Sequence, residues 1–228
     1  MKWLSNIYWI LAALLAAVFV RSYMISVYKI PTHSMAPTLL AGDFILASQM
    51  AYNMQMPWSN DVYFKSKPVA GDLVVFQFSS NKAGEKSMAQ YLKRVVAIAG
   101  DEIEIQHGKI VLNGKPCQYD KSETKVLNAS VQVFNEICGN GPSREVIFST
   151  ESEAKNLASY AKEKVPENEI YVVGDNRSVS EDSRTLGSLP IDQIASKVSF
   201  IWLSYGSTQD FISGPNQIRW NRILTKPR

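Results

Sequence analysis

The sequence predicts a mainly β domain of moderate size carried behind a single membrane-spanning helix. Three observations carry this. No residue from Trp3 to Val20 is charged. Beyond that run, short apolar or alternating stretches recur between Gly-Asp and Asn-Gly turn signals. Apolar residues make up 46% of the 228 and aromatics 11%, ample for a packed core. The formal net charge of +3 is spread along the chain, unlike the clustered basic face of a nucleic-acid-binding surface.

From Ile7 to Val20 the first element is nearly all Ile, Leu, Ala, Val and aromatics. As a helix, Trp3 to Val20 would extend about 27 Å, close to the hydrocarbon thickness of a bilayer. Tyr8 and Trp9 at one end, with Tyr23 and Tyr28 beyond the other, suit interfacial aromatic belts. A cleaved leader would have a shorter apolar core and a small-x-small site, whereas Phe19-Val20-Arg21-Ser22-Tyr23 follows here. A buried core helix is disfavoured because both faces are apolar. Residues 1–22 are therefore expected to be a membrane anchor and 23–228 the domain it holds, with about 100–170 a smaller inserted lobe. Charge does not orient the anchor, since Lys2 flanks one end and Arg21 and Lys29 the other.

Asp43 to Ser48 and Asp72 to Phe78 read as short strands, each entered through a Gly-Asp turn. Between them, Ala51 to Pro68 reads as a loop bearing Met54, Met56, Trp58 and Tyr63. Asn81 to Met88 is polar and reads as a loop, and Tyr91 to Ala99 as an apolar strand containing Lys93 and Arg94. Glu102 to Gln106 alternates in period two, His107-Gly108 turns, and Lys109 to Leu112 returns, a hairpin pattern. Strands between Pro116 and Ser149 are poorly marked. Thr150 and Glu153 form a capping-box pattern, predicting a helix to about Lys164 with Ala154, Leu157, Ala158 and Ala161 on one face. Ile170 to Val173 and Phe200 to Leu203 are further strands, and Arg219 to Arg228 is expected to be a basic surface element.

The two cysteines, Cys117 and Cys138, form no CxxC, and with only His33 and His107 beside them the sequence offers no ligand spacing characteristic of zinc. Neither a metal nor a cofactor is expected. Outside the cytoplasm the two thiols could close a disulfide; otherwise they stay unlinked.

A serine hydroxyl is a weak nucleophile until a neighbour takes its proton. Ser34 lies between Pro31 and Pro37, but histidine helpers are scarce. His33 adjoins Ser34, and in an extended segment would point to the opposite face. His107 sits at a hairpin tip. A lysine can serve if burial lowers its pKa from about 10.4 to about 7, roughly 4 to 5 kcal/mol of preference for the neutral form. Lys93 is suited to this: Leu92, Val95, Val96, Ala97 and Ile98 surround it in sequence, and as a strand residue it would share a face with Tyr91, Val95 and Ala97. By spacing alone, a lysine on the solvent side of an edge strand is the simpler account.

Four stretches change that balance. Ile30 to Leu39, Gly71 to Phe76, Tyr91 to Asp101 and Gly174 to Arg184 resemble, in order, the sequence boxes of the bacterial type I signal peptidases, or leader peptidases. The resemblance runs from about Phe19 to Trp202 and is weakest between Lys115 and Pro166. It implies a signal-peptidase-like antiparallel β catalytic domain. It also implies a Ser/Lys dyad, with Ser34 as nucleophile and Lys93 as general base, and an oxyanion hole from the Thr32 hydroxyl and the Ser34 N–H. Ser180 would orient the lysine amine, and Asp182 would pair with Arg184 or support the site. Asp175-Asn176 would form a tight turn presenting Arg177.

Two departures stand out. His33 replaces the small residue that usually precedes the nucleophile, and Ser178-Val179 replaces the usual Asp-Asn. The implied substrates are exported pre-proteins bearing signal peptides, with small residues at the first and third positions before the cut. An extended peptide added beside Tyr28 to Thr32 and Gln90 to Leu92 would meet walls formed by Tyr28, Ile30, Pro31, Tyr91 and Leu92. The implied setting is the inner membrane, with a cytoplasmic amino terminus and the catalytic domain on the periplasmic side. The alternatives are a relative dedicated to pilin or conjugation precursors, and a non-catalytic membrane-anchored peptide-binding β module.

Overall fold

The structure, a computed structural model, describes residues 2–55, 62–80, 87–124, 130–150, 158–206 and 217–227. The apolar run forms helix α1 (Lys2–Tyr23). Its Asn6–Tyr23 segment is long and apolar enough to cross a membrane, and none of it is buried against the domain.

Sixteen strands follow among the described residues. The first eight are β1 (Ile25–Lys29), β2 (Asp43–Ser48), β3 (Asn53–Gln55), β4 (Val62–Lys65), β5 (Leu73–Ser80), β6 (Ser87–Ile98), β7 (Glu102–Gln106) and β8 (Lys109–Leu112). The rest are β9 (Lys115–Pro116), β10 (Gln118–Lys121), β11 (Val131–Ile137), β12 (Arg144–Ser149), β13 (Tyr160–Lys164), β14 (Glu169–Val173), β15 (Leu189–Pro190) and β16 (Ile194–Ser204). The expected class, mainly antiparallel β behind one apolar helix, is what the chain adopts.

Seven strands make the main sheet, ordered β1-β2-β16-β5-β6-β14-β15 and antiparallel throughout. Strand β5 shows why its sequence runs Leu-Val-Val-Phe without alternating. Leu73 and Val75 pack with Ile45, Val198 and Ile201 on one face. Val74 and Phe76 pack with Val95, Val172 and Ile194 on the other. A sheet covered on both faces needs apolar residues at consecutive positions. Two smaller sheets, β13-β7-β8-β9 and β10-β11-β12, accompany it, and β3 and β4 form a two-stranded ribbon.

Several expectations need correction. The helix predicted to reach Lys164 is absent where it is described: β13 pairs with β7, opposing Tyr160 to Ile105 and Lys164 to Glu102. Sheet pairing overrides a local helical pattern there; Ala154 and Leu157 lie outside the described residues. The Ala51–Pro68 loop contains the β3–β4 ribbon, in which Met54 and Tyr63 fall, while Met56 and Trp58 lie outside the described residues. Strand β6 begins at Ser87, inside the stretch expected to be a loop. A register shift against β14 interrupts the alternation, so Ala97 packs in a different cluster from Val95. The carboxyl-terminal stretch is largely exposed, as at Trp220, Leu224 and Lys226, but its first arginine is not solvated. Arg219 is buried and, with Arg222, grips Asp43 at 3.1 and 2.6 Å.

Cys117 and Cys138 are joined, tying the β9–β10 corner to the end of β11. Beside the bond lies a buried charge cluster. Glu136 on β11 accepts from Arg144 Nε at 2.6 Å and Arg177 Nη2 at 2.7 Å, and Tyr119 donates its hydroxyl to the same carboxylate. Burial alone would raise the Glu136 carboxyl, but Arg177 and Arg144 outweigh it and hold it at about 2. Its folded pKa therefore lies below the unfolded one, so its stabilisation is present above the ordinary carboxylate range and is lost as pH falls toward about 2. Glu136→Ala, which strands two buried guanidiniums, should lower unfolding free energy at neutral pH by about 3–5 kcal/mol in urea titrations of the full chain in detergent.

Candidate active site

The site forms where three sequence stretches meet at strand β6 of the main sheet. Ile30 to Leu39 leaves β1 as a series of bends, with Ile30, Met35 and Leu39 buried under it. This segment is bent rather than extended, so the alternation that would set His33 opposite Ser34 does not apply. Both line one cleft of about 910 Å³.

Lys93 lies on β6 opposite Val74 and two residues from Tyr91, which stacks on Phe76. Its side chain is 3% exposed. The amine donates to Ser34 Oγ at 3.1 Å and to the Leu92 carbonyl at 3.1 Å. Burial pushes its pKa down to about 8, opposed by Asp182 and assisted by Arg184. The simpler account, a solvent-facing lysine, is excluded by this burial. Thr32 is exposed, with Oγ1 3.3 Å from Ser34 Oγ.

The third stretch encloses the other two. The backbone N–H of Asn176 donates to the Ser34 carbonyl at 3.1 Å, and Gly174 N–H donates to Asp182 Oδ2 at 2.9 Å. Asp182 also holds Arg184 through two parallel bonds, Nε to Oδ1 at 2.7 Å and Nη2 to Oδ2 at 2.8 Å. Burial alone would raise the Asp182 carboxyl, but Arg184, Gly174 and Ser180 bring it below its ordinary value. Asp182 then caps helix α2 (Ser183–Leu186) through Arg184 N–H. Ser180 is buried, with its hydroxyl beside Asp182 and packed on Gly174, while the amine of Lys93 bonds Ser34 and Leu92.

Sequence reasoning missed several supports. Asp175 takes Arg94 in a bidentate pair, Nε to Oδ1 at 2.8 Å and Nη2 to Oδ2 at 2.7 Å, and accepts from Thr38 Oγ1 at 2.6 Å. The Ser34 segment is thus held from both sides of its turn. Arg177 does lie in a turn, closed by Val179 N–H to the Asn176 carbonyl at 3.4 Å, but its side chain is fully buried on Glu136. Segment 175–177 runs beside β12, bonding Ile147 through Asp175 O and Arg177 N at 2.9 Å each. A Cβ on Gly174 would come within 2.1 Å of Ser180 Oγ and 2.6 Å of Ser34 O, so only glycine fits. The signal for Gly174 and Asp175 was present in the Gly-Asp-Asn-Arg stretch; their partners, distant in sequence, were not visible.

Of the expected pocket residues, Tyr28, Ile30, Pro31, Tyr91 and Leu92 all line the cleft. Ile30 is itself core, packed with Tyr28 and Leu92. Tyr28 accepts a hydrogen bond from Ser196 Oγ at 3.2 Å.

The lowered amine makes a stability prediction. The shift from 10.5 to about 8 corresponds to roughly 3 kcal/mol against the charged form. The folded pKa lies below the unfolded one, so this cost is complete below about pH 8 and disappears as pH rises toward 10.5. Lys93→Met should therefore melt no lower than the parent at pH 7, with any advantage shrinking between pH 8 and 10.5, read by thermal denaturation in detergent.

Comparison with known proteins agrees with the resemblance. A family model described as "Signal peptidase, peptidase S26" matches residues 3–203. Signal peptidase I of Haemophilus influenzae is 30% identical over 255 residues, covering 92% of this chain and 72% of that protein. Signal peptidase I of Aquifex aeolicus is 30% identical over 222 residues, covering 84% and 80%. Among solved structures, a signal peptidase I from Enterococcus faecalis shares 20% identity and superposes with a TM-score of 0.34, covering 59% of this chain and 98% of that one.

Proposed function

The chain belongs to the signal peptidase, peptidase S26 family, and on that premise we propose its chemistry. It is a membrane-bound serine endopeptidase that removes N-terminal signal peptides from exported pre-proteins. Ser34 is the nucleophile and the neutral Lys93 amine the general base. The observation that carries this is the 3.1 Å contact between a hydroxyl and an amine that water barely reaches.

In the first step Ser34 Oγ attacks the scissile carbonyl while Lys93 Nζ takes its proton. The carbonyl oxygen becomes an oxyanion, received by the Thr32 hydroxyl and the Ser34 backbone N–H; one such donor commonly contributes about 3 kcal/mol. Collapse breaks the C–N bond as the Lys93 ammonium protonates the departing amine, leaving an ester on Ser34. Water, deprotonated by the same amine, then hydrolyses the ester. Asp182, Arg184 and Ser180 are positioning residues: they hold the Gly174–Ser180 loop whose Asn176 N–H grips the Ser34 carbonyl.

The substrate lies extended in the cleft between Ile30 to Thr32 and Gln90 to Leu92, with its alternate side chains in shallow pockets walled by Tyr28, Ile30, Pro31, Tyr91 and Leu92. Residues 1–22 anchor the enzyme in the inner membrane with a cytoplasmic amino terminus, and residues 23–228 work on the periplasmic side. The Cys117–Cys138 bond supports an oxidising compartment. His33 on the cleft wall favours a second reading, a narrower enzyme for pilin or conjugation precursors, which a panel of general precursors separates. A peptide-binding module without catalysis is disfavoured because binding requires no buried neutral amine.

Purified Ser34→Ala and Lys93→Ala should each lose at least a thousandfold in precursor cleavage while remaining folded; substantial activity in either removes the assignment. For the parent, kcat/KM should rise with pH as one proton leaves, levelling above about 8. A rate that fell across that range would contradict a neutral lysine base.

A further inference from the structure

Past Arg177 the chain alternates in burial. Ser178, Ser180 and Asp182 are buried, while Val179 is 60% exposed and Glu181 half-buried. This alternation leaves Val179 and Glu181 on the cleft wall. Glu181 is held there by Tyr91, whose hydroxyl donates to Oε2 at 3.2 Å. Tyr91 in turn is fixed by stacking on Phe76 at 5.7 Å between ring centroids, and its ring centroid lies 5.8 Å from the Lys93 amine. A carboxylate is thus oriented one side chain away from the reacting pair. Among the described residues that line the cleft, it is the one acidic side chain.

In the reactive form the Lys93 amine is neutral and does not offset that charge, and Lys29, the other cation lining the cleft, lies over the Phe44 ring at 5.9 Å from its centroid. A cationic head entering this part of the cleft gains an ion pair, whereas an acidic one meets like charge in a partly dehydrated space. Val179 beside it offers apolar surface for the methylene stem of lysine or arginine. We propose that Glu181 is a specificity-determining residue that favours substrates carrying a basic side chain near the scissile bond and disfavours those carrying an acidic one there. The inference deepens the signal-peptidase reading and rests on it, since it takes the cleft to be where the peptide is cut.

The test is a set of precursors identical except at single positions on either side of the cut, each carrying Ala, Lys or Glu, cleaved by the full chain in a neutral detergent. At one position or more, kcat/KM for Lys should exceed that for Glu by at least about fivefold. The ratio should fall toward one in Glu181→Gln and invert in Glu181→Lys; a purely structural role for Glu181 would change rates without inverting a ratio. Tyr91→Phe, which keeps the charge but releases its orientation, should retain a reduced preference. If the all-Ala precursor is cut but Lys and Glu are equivalent everywhere, or if the preference survives in Glu181→Gln, the inference is wrong and the peptidase reading stands. If the all-Ala precursor is not cut by the parent, both fall.

Discussion

A lysine amine kept out of water within hydrogen-bonding distance of a hydroxyl is the constraint around which this molecule is arranged. The ammonium form is the better hydrated one, so an enclosed lysine gives up protonation more readily than an exposed one. That enclosure needs a rigid wall on every side. Strand β6 provides one, with Val74 and Tyr91 beside Lys93; the Ser34 turn provides another, and the Gly174–Asp182 segment closes the third. Asp182 and Arg184 act on the amine in opposite senses, so pairing them with each other keeps either from dominating its proton affinity.

The walls are joined by buried ion pairs rather than by apolar packing alone. Arg94 and Asp175 bind β6 to the third stretch, with Thr38 adding the Ser34 turn to the same carboxylate. Arg219 and Arg222 fasten the carboxyl-terminal segment to Asp43, and Arg222 also donates to the Thr38 carbonyl at 2.8 Å. Glu136 joins Arg144 and Arg177, attaching the loop beyond Asn176 to the β10-β11-β12 sheet. Such pairs recover little net free energy after dehydration, but they are directional and costly to break. They suit a site whose geometry must be held to a fraction of an ångström.

The reading of the chain succeeded where the signal was local. The Glu102–Leu112 hairpin follows from period-two alternation around His107-Gly108, and both turn residues adopt positive φ, 50° and 78°. It failed at β13, where Ala154 to Ala161 suggested a helical face but the edge of β7 offered Tyr160 to Lys164 a partner. It failed again at Arg219, the one buried residue in a carboxyl-terminal stretch that is otherwise largely exposed where described. Asp43, the acid that buries Arg219, lies 176 residues away, and no local pattern could reveal it.

What the sequence determined by itself is the chemistry-bearing residue types and their local setting: an uncharged span, strands punctuated by Gly-Asp turns, and a serine and a lysine within stretches of recognisable order. Tertiary structure alone decided that Lys93 is dry, that Ser34 lies within its reach, and which carboxylate answers which guanidinium. Periodicity and turn chemistry are properties of neighbours along the chain, whereas dehydration and ion pairing depend on atoms that only folding brings together.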